Sequence, residues 1–94
     1  MLRITRQSGT DRDTLLLEGK LLKEWIEELE ETLVETGRDA AAIALDLSGL
    51  RFVDEEAARF LREFRRRGAS LLAASPFVSA LIDPPPQRPA SPSS

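Results

Sequence analysis

Cysteine and histidine are both absent from the 94 residues of this sequence. Without cysteine there can be no disulfide framework and no thiol nucleophile, and the two commonest zinc ligands are missing together. The lack of histidine also removes the usual general base near neutral pH. Enzyme chemistry would depend on carboxylates, hydroxyls, lysine and arginine alone, so the composition favours a binding protein over an enzyme.

Long apolar runs are absent as well. No stretch approaches the roughly 20 apolar residues that a membrane-spanning helix needs, so we expect no direct membrane insertion. The first six residues lack the apolar stretch of a secretory signal, which predicts a cytoplasmic protein. The formal net charge of -3 gives no basic surplus of the kind typical of nucleic-acid-binding proteins. With 41% hydrophobic and 31% charged residues, the chain has the composition of one globular domain.

Hydrophobic periodicity predicts strands alternating with helices. The predicted elements lie, in chain order, at residues 2–6, 14–18, 22–36, 42–47, 55–67, 70–74 and 77–82. The first two are strands of an antiparallel hairpin joined by a polar turn at 8–13, and Gly19 is expected to end the second strand. Gly37 and Gly68 fit the stop positions of the two long helices, and Ser48-Gly49 is expected to form a turn.

This order, β-β-α-β-α-β-α, predicts an α/β fold with a four-stranded mixed sheet. If consecutive strands are neighbours, right-handed crossovers place the helices mainly on one face and leave the other face partly covered. Residues 1–82 would form the domain. Residues 83–94 are rich in proline and serine and almost without apolar groups, which is more typical of a flexible tail than of a polyproline ligand.

Three acidic residues stand together where the second long helix is predicted to begin. Asp54 is a suitable N-cap, and Glu55 and Glu56 lie in the first turn, where the helix dipole favours each negative charge by about 0.3–1 kcal/mol. Adjacent side chains on a helix point about 100° apart, so they do not converge by themselves. A cation site built from Asp46, Asp54 and one glutamate is conceivable, but capping explains the acids, and we predict neither a metal nor a cofactor.

Two further charge runs have ordinary structural explanations. The six glutamates of the first long helix are typical of a solvated helix face. The run Arg65-Arg66-Arg67 complements the dipole at the end of the second helix, and we predict no nucleic-acid partner from it.

Three segments together resemble the STAS family, the domain of sulfate-transporter tails and bacterial anti-sigma-factor antagonists. They are residues 45–54 (LDLSGLRFVD), 67–72 (RGASLL) and 75–78 (SPFV). The resemblance covers roughly residues 2–82, in element order as well as in wording. It implies a STAS-like fold and a non-catalytic protein-binding role in signalling and transcription regulation.

In anti-sigma-factor antagonists the turn into the helix reads Asp-Ser-Ser-Gly, and the partner kinase, itself the anti-sigma factor, phosphorylates the second serine. The resemblance places Asp54 on the aspartate, Glu55 on the first serine, Glu56 on the phosphorylated serine and Ala57 on the glycine. Glu56 has no hydroxyl, so this phosphorylation cannot occur there. Either Glu56 imitates phosphate as a fixed charge, or the protein binds its partner constitutively; we favour the second because a first-turn glutamate has a structural reason of its own.

The resemblance also implies a docking face around the second helix. The expected partner-binding residues are Ser48, Glu56, Arg59, Phe60, Arg62 and Glu63. Phe60 would anchor the interface if exposed, although an aromatic four residues before Phe64 also suits the core.

The expected partner is an ATPase-like protein such as an anti-sigma kinase. One alternative keeps the fold and makes the chain the cytoplasmic STAS subunit of an ABC-type lipid transporter, bound to its ATPase. An alternative of another class is a small carboxylate- or metal-dependent enzyme. The sequence leaves open whether two copies pair along the edge strand and whether the open sheet face binds a ligand.

Overall fold

The computed structural model describes residues 1–85. Its elements follow the predicted order of two strands, then helix, strand, helix, strand, helix. They are β1 (Leu2–Ser8), β2 (Asp13–Leu21), α1 (Lys23–Thr36), β3 (Ile43–Val53), α2 (Glu55–Arg66), β4 (Ser70–Leu72) and α3 (Pro76–Ile82), with one 3₁₀ turn (Ala40–Ala42) before β3.

The four strands form one mixed sheet in the order β1-β2-β3-β4. β1 and β2 are an antiparallel hairpin, whereas β3 runs parallel to both β2 and β4. Leu15, Leu45 and Leu71 lie side by side across β2, β3 and β4. The predicted four-stranded mixed sheet is confirmed.

The hydrophobic core lies between one face of this sheet and the three helices. Every second residue of the central strands points into it, and Leu15, Leu17, Leu45 and Leu47 have no exposed surface. Burying a leucine in this way contributes about 1.5–3 kcal/mol. The helices add Leu29 and Leu33 of α1, Ala57, Ala58, Leu61 and Phe64 of α2, and Val78 and Ile82 of α3. Because these residues form one cluster, the prediction of helices mainly on one face is confirmed.

The other face of the sheet is only partly covered, as expected. Thr14, Leu16 and Asp46 are half-buried there, and Leu72 is 40% exposed. No helix among residues 1–85 is long and apolar enough to span a membrane.

The predicted ends of β2 and β3 are wrong. β3 continues through Ser48-Gly49, where a turn was expected, and Gly19 lies within β2 instead of ending it. The glycines serve close packing at irregularities in the pairing of β2 with β3. A Cβ on Gly49 would lie 2.6 Å from Cγ of Glu18, and Gly19 has φ 98° with its Cβ position against the Met1 carbonyl oxygen.

The predicted turn at 8–13 also contains two strand residues, because β1 ends at Ser8 and β2 begins at Asp13. Asp13 is 1% exposed, and its carboxylate accepts from Nε of Arg6 at 3.0 Å and from Nε of Arg38 at 2.9 Å. Arg38 also donates to the Gly9 carbonyl oxygen at 2.7 Å. This buried cluster ties the hairpin to the segment that follows α1.

Of the predicted tail from residue 83, the segment 86–94 lies outside the described residues. Asp83 forms a two-bond ion pair with Arg65, with distances of 2.7 and 2.8 Å.

Candidate docking site at the start of α2

The Asp54 carboxylate caps two helices at once. Its Oδ1 accepts from the Ala57 N–H at 2.9 Å, which caps α2 as the sequence predicts. Its Oδ2 accepts from the Lys23 N–H at 2.7 Å, in the first turn of α1. Leu22, which precedes α1, has no polar side chain and makes no cap. Asp54 therefore supplies the cap that α1 lacks.

The parallel pairing of β2 and β3 brings the two helix starts together. Leu21 and Val53, the last residues of these strands, lie opposite each other. The Asp54 N–H donates to the Leu21 carbonyl oxygen at 3.2 Å, so both chains leave the sheet side by side. The positive ends of two helix dipoles then favour the negative charge of Asp54. This second cap was not predicted from the sequence, although the absence of Ser, Thr, Asp or Asn just before α1 was a signal for it.

The residues after Asp54 differ in exposure. Glu55 and Glu56 are exposed, and no hydrogen bond or ion pair within residues 1–85 uses either carboxylate. Ala57, on the inner side of α2, is fully buried. The rigidly capped turn thus presents two free carboxylates to solvent, while the residue in the glycine position faces the core.

An apolar surface that was not predicted from the sequence adjoins this turn. Phe77, in the first turn of α3, is 57% exposed and its ring lies 6.5 Å from that of Phe52. Phe52, Leu81 and Pro84 border a cleft of about 360 Å³ that also reaches Asp54, Glu55, Ala58 and Arg62. A signal existed, because the inward positions Val78 and Ile82 of this short helix leave Phe77 pointing outward.

The predicted partner-binding residues of α2 divide into exposed and engaged side chains. Glu56, Arg59 and Glu63 are exposed. Phe60 is half-buried and stacks on Phe64, with ring centroids 6.0 Å apart. Arg62 is half-buried and donates to the Ile82 carbonyl oxygen at 2.6 Å, at the end of α3.

Ser48 is not brought to the others. It is exposed in the middle of β3, and its N–H donates to Oδ1 of Asp46 at 2.9 Å. Val53 lies five positions after Ser48, which corresponds to roughly 16 Å along a strand. Any partner that contacts both Ser48 and Glu56 must span that distance.

The acidic residues Asp46, Asp54, Glu55 and Glu56 do not converge on one point. Among residues 1–85 no group of three acidic side chains lies close enough to hold a metal ion. Both Asp54 carboxylate oxygens already accept backbone hydrogen bonds, and Oδ1 of Asp46 accepts one from the Ser48 N–H.

The arginine run at the end of α2 is also engaged. Arg65 pairs with Asp83, Arg66 lies 3.3 Å from a carboxylate oxygen of Glu63, and the guanidinium of Arg67 lies 5.7 Å from the centroid of the Phe64 ring. The hydrogen bond from Arg65 lowers the pKa of the Asp83 carboxyl below its ordinary value, although partial burial opposes this. The same bond raises the pKa of Arg65.

This arrangement of sheet and helices is the fold of a STAS domain. The crystal structure of the STAS domain of an antisigma-factor antagonist from Rhodobacter sphaeroides superposes with a TM-score of 0.51 at 20% identity, covering 80% of this chain and 92% of that one. A second structure, that of Mglu, gives a TM-score of 0.55 at 19% identity. This likeness covers 77% of the present chain but only 19% of Mglu, so the fold corresponds to about a fifth of that longer protein.

At these identities the two likenesses define the fold alone. No family model and no curated protein sequence matches the chain.

Proposed function

We propose that this protein is a STAS-type regulatory module that docks onto a protein partner through the start of α2 and performs no catalysis. The observation that carries the proposal is the double cap made by Asp54. It fixes the starts of α1 and α2 against each other and holds Glu55 and Glu56 outward. Glu55 borders the same cleft as Phe52, whose ring lies 6.5 Å from that of the exposed Phe77. A rigid turn with free charges next to an exposed aromatic has the character of a docking site.

The proposed partner is an ATPase-like protein of the anti-sigma kinase type, and the proposed setting is bacterial transcription regulation in the cytoplasm. Support comes from the fold, which one antisigma-factor antagonist shares. Support also comes from position, because the acidic turn that the STAS resemblance aligns with the phosphorylated turn is here exposed at a strand-to-helix junction.

We further propose that the docking is constitutive. Glu56 offers no hydroxyl for phosphorylation, and its charge in the first turn of α2 is explained by the helix dipole. A carboxylate also carries less charge and fewer acceptor oxygens than a phosphate, so it imitates one poorly.

The absence of catalysis is inferred from chemistry. The chain has neither histidine nor cysteine. Asp54 is engaged in the two helix caps, and Asp46 accepts a hydrogen bond from the Ser48 N–H. The exposed first-turn carboxylates of Glu55 and Glu56 suit charge recognition by a partner.

Affinity purification from an extract of the source organism, followed by mass spectrometry, tests the class of partner. The expected result is an ATPase of the histidine-kinase-like type, recovered by the intact protein and lost when Glu55 and Glu56 are both replaced by lysine. A matched control replaces two other exposed acidic residues, Glu28 of α1 and Asp11 of the hairpin turn, in the same way. Recovery of a transporter ATPase would assign the module to a transport complex instead, and recovery of neither class would overturn the proposal.

A further inference from the structure

A second apolar surface lies at the opposite ends of α1 and α2 from Asp54. It is a groove of about 420 Å³ between the C-terminal halves of the two helices, within the size range of ligand sites. Its apolar lining comes from Leu33 and Val34 of α1, Ile43 of β3, and the stacked rings of Phe60 and Phe64 of α2. We call this surface the α1–α2 groove.

Val34 is the unusual residue of this groove. It is 79% exposed, although it lies on a helix whose other outward positions are almost all glutamate. A solvated acidic face explains those glutamates but gives no reason for an exposed valine among them. Valine is also a weaker helix former than glutamate, so helix stability does not explain the choice. An apolar contact with a partner does.

The charge around Val34 is strongly negative. A shallow depression of Glu27, Glu30, Glu31 and Glu35 surrounds it, and Glu30 and Val34 belong to this depression and to the groove alike. No ion pair among residues 1–85 involves any of these four glutamates.

The two cations on the groove lining are already engaged. Arg38 pairs with the buried Asp13, and Arg67 lies over the Phe64 ring. Neither arginine forms an ion pair with an α1 glutamate within residues 1–85.

Length and charge together define what fits. The groove lining runs from Glu30 to Val34 on α1 and from Phe60 to Arg67 at the end of α2, so its longer wall spans about two helical turns, or roughly 10 Å. A helix lying in such a groove would insert apolar side chains spaced three or four residues apart. Lysine or arginine on its flank would meet the α1 glutamates.

We propose that the α1–α2 groove binds a cationic amphipathic helix of a partner protein. Val34 and Phe60 contact the apolar stripe of that helix. Its basic flank contacts the glutamates around Val34, which are Glu27, Glu30, Glu31 and Glu35. This surface is separate from the start of α2, so the two sites can be occupied together.

The test uses a synthetic 16-residue amphipathic peptide with leucines at helical spacing and lysines on one flank, and a matched peptide with glutamate at every lysine position. Fluorescence anisotropy at low salt measures the affinity of each for the full chain. We expect the lysine peptide to bind at least about tenfold more tightly than the glutamate peptide, and to weaken steeply with added salt. Equal affinities would overturn the proposal.

Two variants locate the contact. Val34→Ser removes the exposed apolar group without adding charge and should weaken the lysine peptide at least about fivefold. Ala80→Ser changes an exposed residue of α3 and should leave the affinity unchanged. Amide chemical-shift changes should centre on residues 30–43 and 60–67. Shift changes centred on the start of α2, or equal effects of the two variants, would contradict the proposal, and so would a dimer of the chain alone that Val34→Ser dissociates.

Discussion

At the scale of single residues, Asp54 shows why an aspartate stands at this junction. An asparagine, serine or threonine would cap α2 equally well, because one acceptor oxygen is sufficient for an N-cap. Only a carboxylate offers two acceptor oxygens to two backbone N–H groups on different helices. The structural demand at Asp54 is therefore greater than its position at one helix start suggests.

Replacing Asp54 by alanine should lower the free energy of unfolding by about 1–4 kcal/mol, because two caps worth about 0.5–2 kcal/mol each are lost. Asp54→Asn should cost less, since its amide oxygen can still cap α2. Urea unfolding at pH 7 measures both. Ser75→Ala serves as the control because Ser75 caps α3 alone, accepting from the Val78 N–H at 3.1 Å. If Asp54→Ala cost no more than Ser75→Ala, the second cap would have no energetic weight.

Backbone strain explains where one strand ends. Ala73 follows β4 with φ 60°, the one non-glycine residue with positive φ among residues 1–85. This conformation costs an L-residue about 1–2 kcal/mol, and it stops β4 after Leu72, although the apolar pattern predicts a strand to residue 74.

Ala73→Gly should raise the free energy of unfolding by roughly 0.5–1 kcal/mol, since relief of the strain outweighs the entropy lost by glycine on folding. Thermal and urea unfolding measure this change. The same substitution at Ala80, within α3, should lower stability by about 0.5–1 kcal/mol. Destabilisation by both variants would show that Ala73 is not strained.

At the scale of elements, α3 is held to α2 by two arginines one turn apart. Arg62 donates to the carbonyl oxygen of Ile82, the last residue of α3, and Arg65 pairs with Asp83 just beyond it. This contact fixes the helix that carries Phe77 and so orders one side of the proposed docking site. The ion pair is exposed, so it contributes at most about 1 kcal/mol.

Asp83→Asn should therefore reduce stability slightly at neutral pH and not in strong acid. The folded-state pKa of Asp83 is lowered by Arg65, so its stabilisation is present above the ordinary aspartate pKa of about 3.9 and is lost as the pH falls through the lowered value. Urea unfolding at pH 7 and at about pH 2 compares the two proteins. Asp11→Asn, at an exposed residue of the hairpin turn, is the control. A stability gap that persists unchanged at the lower pH would contradict the ion-pair account.

At the scale of the whole molecule, the sequence predicts the fold well because its signals are local and strong. The apolar period of α1 and α2 and the continuous run around Leu45 fix element type and order. The stop at Gly37 follows from the same local rules. Once consecutive strands pair, the mixed sheet with helices on one face follows.

Features that depend on tertiary pairing were not predictable in the same way. Ser48-Gly49 is typical of a turn in the sequence. In the structure β2 pairs with this segment, and the close approach of Glu18 requires a glycine at position 49. The second bond of Asp54 joins residues 31 positions apart, and the burial of Asp13 requires Arg38 from beyond α1. The site residues of α2 followed from resemblance, whereas the contact of Phe77 with Phe52 depends on how α3 packs.

The central claim is that the exposed charges at the start of α2 contact a partner and are not only helix-stabilising groups. The most direct test compares Glu56→Lys with Glu28→Lys, two identical charge reversals at exposed helix positions. Both the affinity for the purified partner ATPase, by isothermal titration calorimetry, and the free energy of unfolding are measured. The account predicts that Glu56→Lys weakens binding at least about tenfold, equivalent to 1.4 kcal/mol, while lowering stability by less than about 1 kcal/mol, and that Glu28→Lys leaves binding unchanged. Equal losses of affinity and stability for Glu56→Lys, or equal affinities for the two variants, would contradict it.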